Sequence, residues 1–222
     1  MVSEALIKGL FNIQNPQLLK ALSEAACVET FKKRQDIYRI GETYSNFYIL
    51  LNGLVYTYFF DGGKRPLTTC FFTERHDYLN VEALGQKTTI GAKALKQSEV
   101  FVLPVNESVQ LAKDYPELMW EYARYLQKTM MYLCVLNNKR MYLSSEERYL
   151  WFYKTFPEVV QLANNQQIAS FIRMRSESFS RLKSQHQATG GERKKQKLDS
   201  DILLTRDMAW NYQNIKDMMR QK

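Results

Sequence analysis

Between Pro116 and Pro157 the chain runs through forty residues without a glycine or a proline. Nothing in that stretch breaks a helix, and the apolar pattern asks for one. Met119, Tyr122, Leu126, Thr129, Leu133, Leu136, Arg140 and Leu143 follow one another at spacings of 3, 4, 3, 4, 3, 4 and 3. That alternation is a heptad seam sustained over more than three heptads. It predicts a dimerisation helix over residues 116–143, with Met119, Tyr122, Leu126, Thr129, Leu133 and Leu136 in the interface of a homodimer. The competing reading is one long helix lying against its own domain. Thr129 and Arg140 are polar within the seam, a feature that fixes register in a paired helix.

Upstream, residues 1–115 open with helical periodicity at Leu6, Leu10, Leu18, Leu19 and Leu22 and then change character. The segment NFYILLNGLVYTYFFDGGKRPLTTCFF is dense in β-branched and aromatic residues and is punctuated by Asn52-Gly53 and Asp61-Gly62-Gly63. Asp-Gly-Gly between two such runs signals a hairpin, because glycine accepts the positive φ of a tight turn. TTIGAKALK and SEVFVLP add two further strands. Short, closely spaced strands of this kind predict an all-β roll or barrel.

Downstream, Ser144 and Glu147 form an S-x-x-E capping box that opens a helix ending at Pro157. The stretch QQIASFIRMRSESFSRLKSQ then reads as two short helices. Gln166–Arg173 would bury Ile168, Phe171 and Ile172, with Ala169 small where a second helix crosses and Met174 plugging the turn. Ser176–Ser184 would bury Phe179 and Leu182 and expose Ser176, Glu177, Ser180, Arg181 and Lys183. Two helices joined by a short turn with a small residue at the crossing is helix-turn-helix geometry. Arginine bonds guanine O6 and N7 bidentately, glutamate accepts from cytosine N4, and serine and lysine near helix ends suit phosphates. The alternative is a plain helical packing unit. Beyond it, Gly190-Gly191 ends the second helix, DILLT reads as a short strand, and residues 207–220 read as helical.

Charge sharpens the contrast between the two ends. Residues 1–143 carry 17 basic and 14 acidic side chains, whereas residues 144–222 carry 14 and 9. Within 168–197 there are 8 basic residues against only Glu177 and Glu192. Such an excess attracts polyanions, although a solvated face explains a charge run equally well. Cys27, Cys70 and Cys134 are odd in number and widely spaced, which fits a reducing cytoplasm and no disulfide framework. The N-terminal MVSEALIKGL is too short and too charged for a signal peptide, and no apolar run approaches ~18 residues, so neither export nor a membrane partner is expected.

At this point the residues resemble a family. IASFIRMRSESFSRLKS is similar to the DNA-reading segment of the Crp-Fnr family of bacterial transcription regulators. Ile168-Ala169 match its start and Glu177-Ser178-Phe179-Ser180-Arg181 its end. YSNFYILLNGLVYTYFFDGGKRPLTTCFF resembles the family's sensor roll, ALKQSEVFVLP its final strand, and SSEERYLWFYKTFP the helix after the dimer helix. The likeness runs in order over roughly residues 25–185. It implies an α+β protein with an antiparallel, jelly-roll-like β-roll as sensor domain (1–115), a dimer helix (116–143) and a helix-turn-helix, winged-helix-like domain with a basic tail (144–222). It further implies a homodimer reading a near-palindromic site in double-stranded DNA, with RNA polymerase as a candidate partner. Carried over by position, Glu177 and Arg181 are base readers, Ser180 and Lys183 phosphate contacts, and Arg175 and Ser176 flanking DNA contacts. Two departures stand out. Arg173 occupies the turn position that usually holds glycine, so either its φ is positive at a cost in strain or the turn differs, and Ser176 replaces the usual arginine or proline.

The sensor domain departs further. Cyclic-nucleotide-binding members carry Gly-Glu, a short helix and then arginine. Here DYLNVEALGQKTTIGAKAL has Glu82 without the Gly-Glu pair, and Thr88, Thr89 and Ile90 stand where the arginine would be. A phosphodiester buried without arginine loses its bidentate partner, so tight cyclic-nucleotide binding is not expected. Three scattered cysteines cannot hold an iron-sulfur cluster, a lone His76 is more often a loop residue than a haem ligand, and Cys70 reads as a small buried hydrophobe before it reads as a redox thiol. No cofactor is therefore expected. Catalysis is not expected either. A cupin-like metal site needs converging histidines, and His76 and His186 lie far apart in sequence. The rival to a DNA reader is a β-roll regulatory subunit that docks a protein partner, and the exposed Glu177/Arg181 pair argues for the DNA reader.

Overall fold

The computed structural model describes residues 1–62, 65–73, 77–79 and 85–188. His76, Glu82, Gly63 of the hairpin and the tail from residue 189 lie outside these, and so do the expectations attached to them.

Two N-terminal helices, α1 (Glu4–Leu10) and α2 (Pro16–Ala25), lead into the strands. Ser3 caps α1, and Asn15 caps α2 with Pro16 at its first position, where the missing N–H costs nothing. Among the described residues seven antiparallel strands follow: β1 (Cys27–Phe31), β2 (Asp36–Tyr38), β3 (Asn46–Asn52), β4 (Val55–Phe60), β5 (Pro66–Phe72), β6 (Gly91–Ala94) and β7 (Ser98–Pro104). They form two sheets, one in the order β1-β7-β3 and the other β2-β6-β4-β5.

The run VFVLP in β7 is buried on both faces, and strand alternation divides it. Val100 and Val102 face the roll interior with Leu50, Val55, Leu79 and Ala92. Phe101 and Leu103 face outward, with Ile49, and pack under α1 and α2. A strand buried on both sides reads as a continuous apolar run. The Asp61 turn closes the β4–β5 hairpin: the Asp61 N–H donates to the Arg65 carbonyl, and the Arg65 N–H to Asp61 Oδ1. Gly53 has φ 120°, and a Cβ there would lie 2.2 Å from Ser98 Oγ, so only glycine fits.

After β7 come α3 (Val105–Asp114) and α4 (Glu117–Tyr142), the long helix expected from the seam. The expected seam does not stay on one face. Leu136 is 2 % exposed and belongs to its own chain's core, Tyr122 and Thr129 are half-buried against the roll, and Arg140 points inward. Met119, Leu126 and Leu133 point outward, at 52 %, 41 % and 37 % exposure, and Ala123 and Met130 continue the exposed stripe. The correction has a simple cause. Residues at 3.5-residue spacing span a wide arc of a 3.6-residue helix, so half of them reach the parent domain.

The C-terminal unit holds α5 (Ser145–Thr155), α6 (Pro157–Leu162), α7 (Asn165–Phe171) and α8 (Ser176–Ala188). Its core is aromatic: Trp151 stacks on Phe171 at 6.2 Å, and Phe71 of β5 meets Phe171 at 5.0 Å. One continuous cluster therefore includes Leu54, Phe71 and Leu136 together with Trp151, Phe152, Ile168, Phe171 and Phe179. Among the described residues, no helix is long and apolar enough to cross a membrane.

Because Leu136 fills this shared core rather than a partner's, Leu136→Ala should destabilise the chain by about 2–5 kcal/mol. Denaturant unfolding would show this as a loss that does not depend on protein concentration. A loss that disappears on dilution would place Leu136 between subunits.

Candidate nucleic-acid interface

The two short helices begin and end where local chemistry dictates. Asn164 accepts from the Gln167 N–H at 2.8 Å while the Gln167 side chain accepts from the Asn164 N–H at 2.9 Å, a reciprocal capping box that opens α7 at Asn165. At the other end the Met174 N–H donates to the Ala169 carbonyl at 2.8 Å and the Arg173 N–H to that of Ser170 at 3.1 Å. This bond pair is a Schellman motif, and it requires a left-handed residue just past the helix. Arg173 supplies it, at φ 55°. The expected helix Gln166–Arg173 is thus shifted back, since Ile172 and Arg173 already form the turn, and α8 continues past Ser184 to Ala188. Ile168, Ala169, Phe171, Ile172 and Phe179 are buried, as their spacing required, and Met174 is half-buried over the turn.

Opposite Phe179 and Leu182, α8 presents Glu177, Ser180, Arg181 and Ser184, all exposed. They recur at i, i+3, i+4 and i+7 and so form one stripe. Ser184 was missed by the pattern reading, although its spacing from Glu177 could have found it. Arg175 is exposed at the turn, whereas Ser176 is half-buried there. Lys183 is half-buried, with Nζ donating to Asn165 Oδ1 at 3.1 Å. An ammonium has three donors, so two remain for an anion. Among the described residues no ion pair engages Arg173, Arg175 or Arg181. At the inner face His186 stacks on Tyr149 at 5.0 Å and approaches Glu146 at 3.3 Å.

The unit is fastened to the roll through edge strand β5. The Thr68 N–H donates to Ser170 Oγ at 3.0 Å, and Arg140 donates to the Thr69 carbonyl at 2.6 Å while lying 4.2 Å over the Phe171 ring. Cys70, between them, is buried, and burial pushes its thiol up to about 11 despite the opposing Arg140. A thiol held protonated in this way is a poor nucleophile.

Inside the roll, Tyr38 stacks on Tyr48 at 5.6 Å and donates its hydroxyl to the Leu79 carbonyl at 2.6 Å. Thr88 is buried, its hydroxyl donating to the Arg39 carbonyl at 2.6 Å. At the position where an arginine was expected to be missing, a short side chain is thus spent on backbone. Among the described residues, no three His, Cys, Asp or Glu side chains gather into a metal site.

Comparison with protein-family models finds no match, and neither does comparison with curated proteins. Solved structures do match. One is described as a transcriptional regulator of the crp/fnr family from Eubacterium rectale, with 15 % identity, TM-score 0.68, and coverage of 81 % of this chain and 86 % of that one. The c-di-GMP-responsive global regulator CLP of Xanthomonas campestris has 16 % identity, TM-score 0.62, and coverage of 79 % and 93 %. FixK2 of Bradyrhizobium japonicum has 17 % identity, TM-score 0.61, and coverage of 74 % and 86 %. The chain has the Crp/Fnr fold: a β-roll, a long central helix and a helix-turn-helix.

A left-handed arginine is strained by roughly 1 kcal/mol relative to glycine. Arg173→Gly should therefore raise the melting temperature by about 2–4 °C, and Arg173→Val should lower it. Scanning calorimetry of both variants checks the pair, and equal midpoints would refute the strain.

Proposed function

We propose that the chain is a sequence-specific DNA-binding regulator acting as a homodimer. The observation that carries this reading is the exposed stripe Glu177–Ser180–Arg181–Ser184 on the second helix of a helix-turn-helix, beside arginines without ion-pair partners among the described residues. Glu177 and Arg181 read base edges: the guanidinium addresses guanine O6 and N7, and the carboxylate accepts from cytosine N4. Ser180, Ser184 and the two free Lys183 donors hold phosphates, and Arg175, exposed at the turn, approaches the backbone there. Ser176, half-buried at the start of α8, sets the depth of the helix rather than reading a base.

The pairing surface is the outward stripe of α4, Met119, Ala123, Leu126, Met130 and Leu133. These residues repeat at spacings of 4, 3, 4 and 3, the pattern of a two-stranded seam. Two copies joined along this stripe offer two α8 helices to successive major grooves, one turn or ~34 Å apart, which selects near-palindromic sites. RNA polymerase is the partner such a dimer would meet at a promoter. The roll acts without tight cyclic-nucleotide binding, because Thr88 to Ile90 offer a phosphate no guanidinium.

Three measurements test the reading. Selection from random duplexes should enrich one inverted repeat, and Arg181→Ala should relax one base pair per half-site at a cost of about 1–3 kcal/mol. Weak, sequence-blind, steeply salt-dependent binding alone would sink the proposal. Leu126→Glu with Leu133→Glu should give a folded monomer in light scattering that loses the inverted repeat, and an unaltered dimer would move the interface elsewhere. Titration calorimetry with cyclic AMP should show no micromolar binding, and a micromolar isotherm would restore a nucleotide site to the roll.

A further inference from the structure

The outward face of the β1-β7-β3 sheet is built from large side chains, Phe47, Ile49, Phe101 and Leu103. Helix α3 crosses it with small ones. Ser108, Val109 and Ala112 form its inner surface, and the first turns of α4 close the far side with Leu118, Met119 and Tyr122. Big residues facing small ones should interdigitate, but here the aromatic walls are held upright by their neighbours. Phe11 meets Phe101 edge-on at 5.9 Å, and Phe47 is pinned edge-on between Tyr44 at 5.7 Å and Tyr122 at 5.7 Å. The rings cannot fold down onto Ala112, so a cavity of ≈ 100 Å³ remains.

Its chemistry is uniform. Ser108 and Glu121 at its edge are already engaged, and Tyr78 and Tyr122 turn almost entirely apolar surface toward it. Ser108 donates to the Val105 carbonyl at 2.7 Å, and the Glu121 carboxylate accepts from the Asn12 N–H at 3.1 Å and pairs with Arg124. A water molecule needs two to four polar partners, and the lining turns almost no polar surface inward to supply them. The mouth lies between Val109 and Met119, both exposed.

We propose that this cavity binds a small, neutral, apolar molecule the size of a single aromatic ring. The size follows from volume, since an engineered apolar cavity of about 150 Å³ stays dry and takes benzene. Neutrality follows from the almost wholly apolar lining, because a charged ligand would be buried with little to pair with. Preference for a ring follows from the aromatic walls, whose edges and faces favour edge-to-face contact. The site lies on the outside of the roll, separated from the Tyr38–Tyr48 interior by the sheet itself. Leu118 and Tyr122 make what fills it touch the long helix directly. The proposal does not depend on DNA binding.

Benzene is the probe, added to the full chain with methyl groups observed by NMR. Saturable shifts are expected at Ile49, Leu103, Val109 and Met119, with half-saturation in the millimolar range. Ala112→Phe places a ring inside the cavity and should weaken binding by roughly tenfold or more while the chain stays folded. Val109→Phe, at an exposed position on the mouth, decides the matter if Ala112→Phe does not fold. The absence of saturable shifts would overturn the site. So would shifts confined to Leu79 and Val102 in the roll interior, or binding unchanged in the filled variants.

Discussion

Arg140 carries a full charge into a place where no carboxylate among the described residues pairs with it. Burial pulls its pKa down from the ordinary arginine value, yet a guanidinium stays protonated in proteins, so the charge must be satisfied where it lies. Its compensation comes from two separate parts of the chain. The Thr69 carbonyl of β5 accepts from it at 2.6 Å, and the Phe171 ring of α7 presents its face at 4.2 Å. A charge buried in this way is costly unless both partners stay in place. The third part is α4, which holds Arg140 itself. One side chain thus ties the roll, the long helix and the helix-turn-helix together, and the Phe71–Phe171 contact packs against the same point.

Much of this was legible in the residues, and the parts that were not share a cause. Local signals held: the Ser144/Glu147 capping box, the Asp61 turn and the burial of Ile168, Phe171, Ile172 and Phe179. Each is decided within about one turn of chain. The Asn164/Gln167 box carries a signal of the same kind, an N-cap residue followed three on by glutamine, and so does Asn15-Pro16. Pro157, read as a stop, also starts α6, since its missing N–H is free at a first helical position. The heptad seam misled because spacing says which residues share an arc, not which of two neighbours that arc will meet. Arg140 was read as a register mark for a partner helix, and instead it marks the contact between the roll and α7. No local pattern foretells that contact, because Thr69 and Arg140 are 71 positions apart.

The long helix consequently has three allegiances. Near its start Leu118 and Tyr122 close the apolar cavity against the sheet. Along its middle Tyr125 stacks on Tyr78 at 3.4 Å, and Tyr132 donates to the Phe71 carbonyl at 3.2 Å. Near its end Leu136 and Arg140 enter the shared core. The opposite side holds the exposed methionine and leucine stripe. A helix committed to its own domain along its whole length cannot rotate freely to suit a partner. Any second copy must accept the stripe at the angle at which the parent domain presents it.

That constraint reaches the proposed recognition surface through β5. An edge strand leaves a row of unpaired N–H and C=O groups, which invite pairing with another chain. Here Thr68, Thr69 and Phe71 spend such groups on Ser170, Arg140 and Tyr132. Of the three bonds that cover the edge, the one to Ser170 holds α7 and the other two hold α4, and the Schellman turn at Arg173 then fixes where α8 leaves α7. The direction of the Glu177–Arg181 stripe relative to α4 is therefore set by hydrogen bonds to a sheet, not by a linker. If two chains join along α4, the spacing of their recognition helices follows from the edge of the roll.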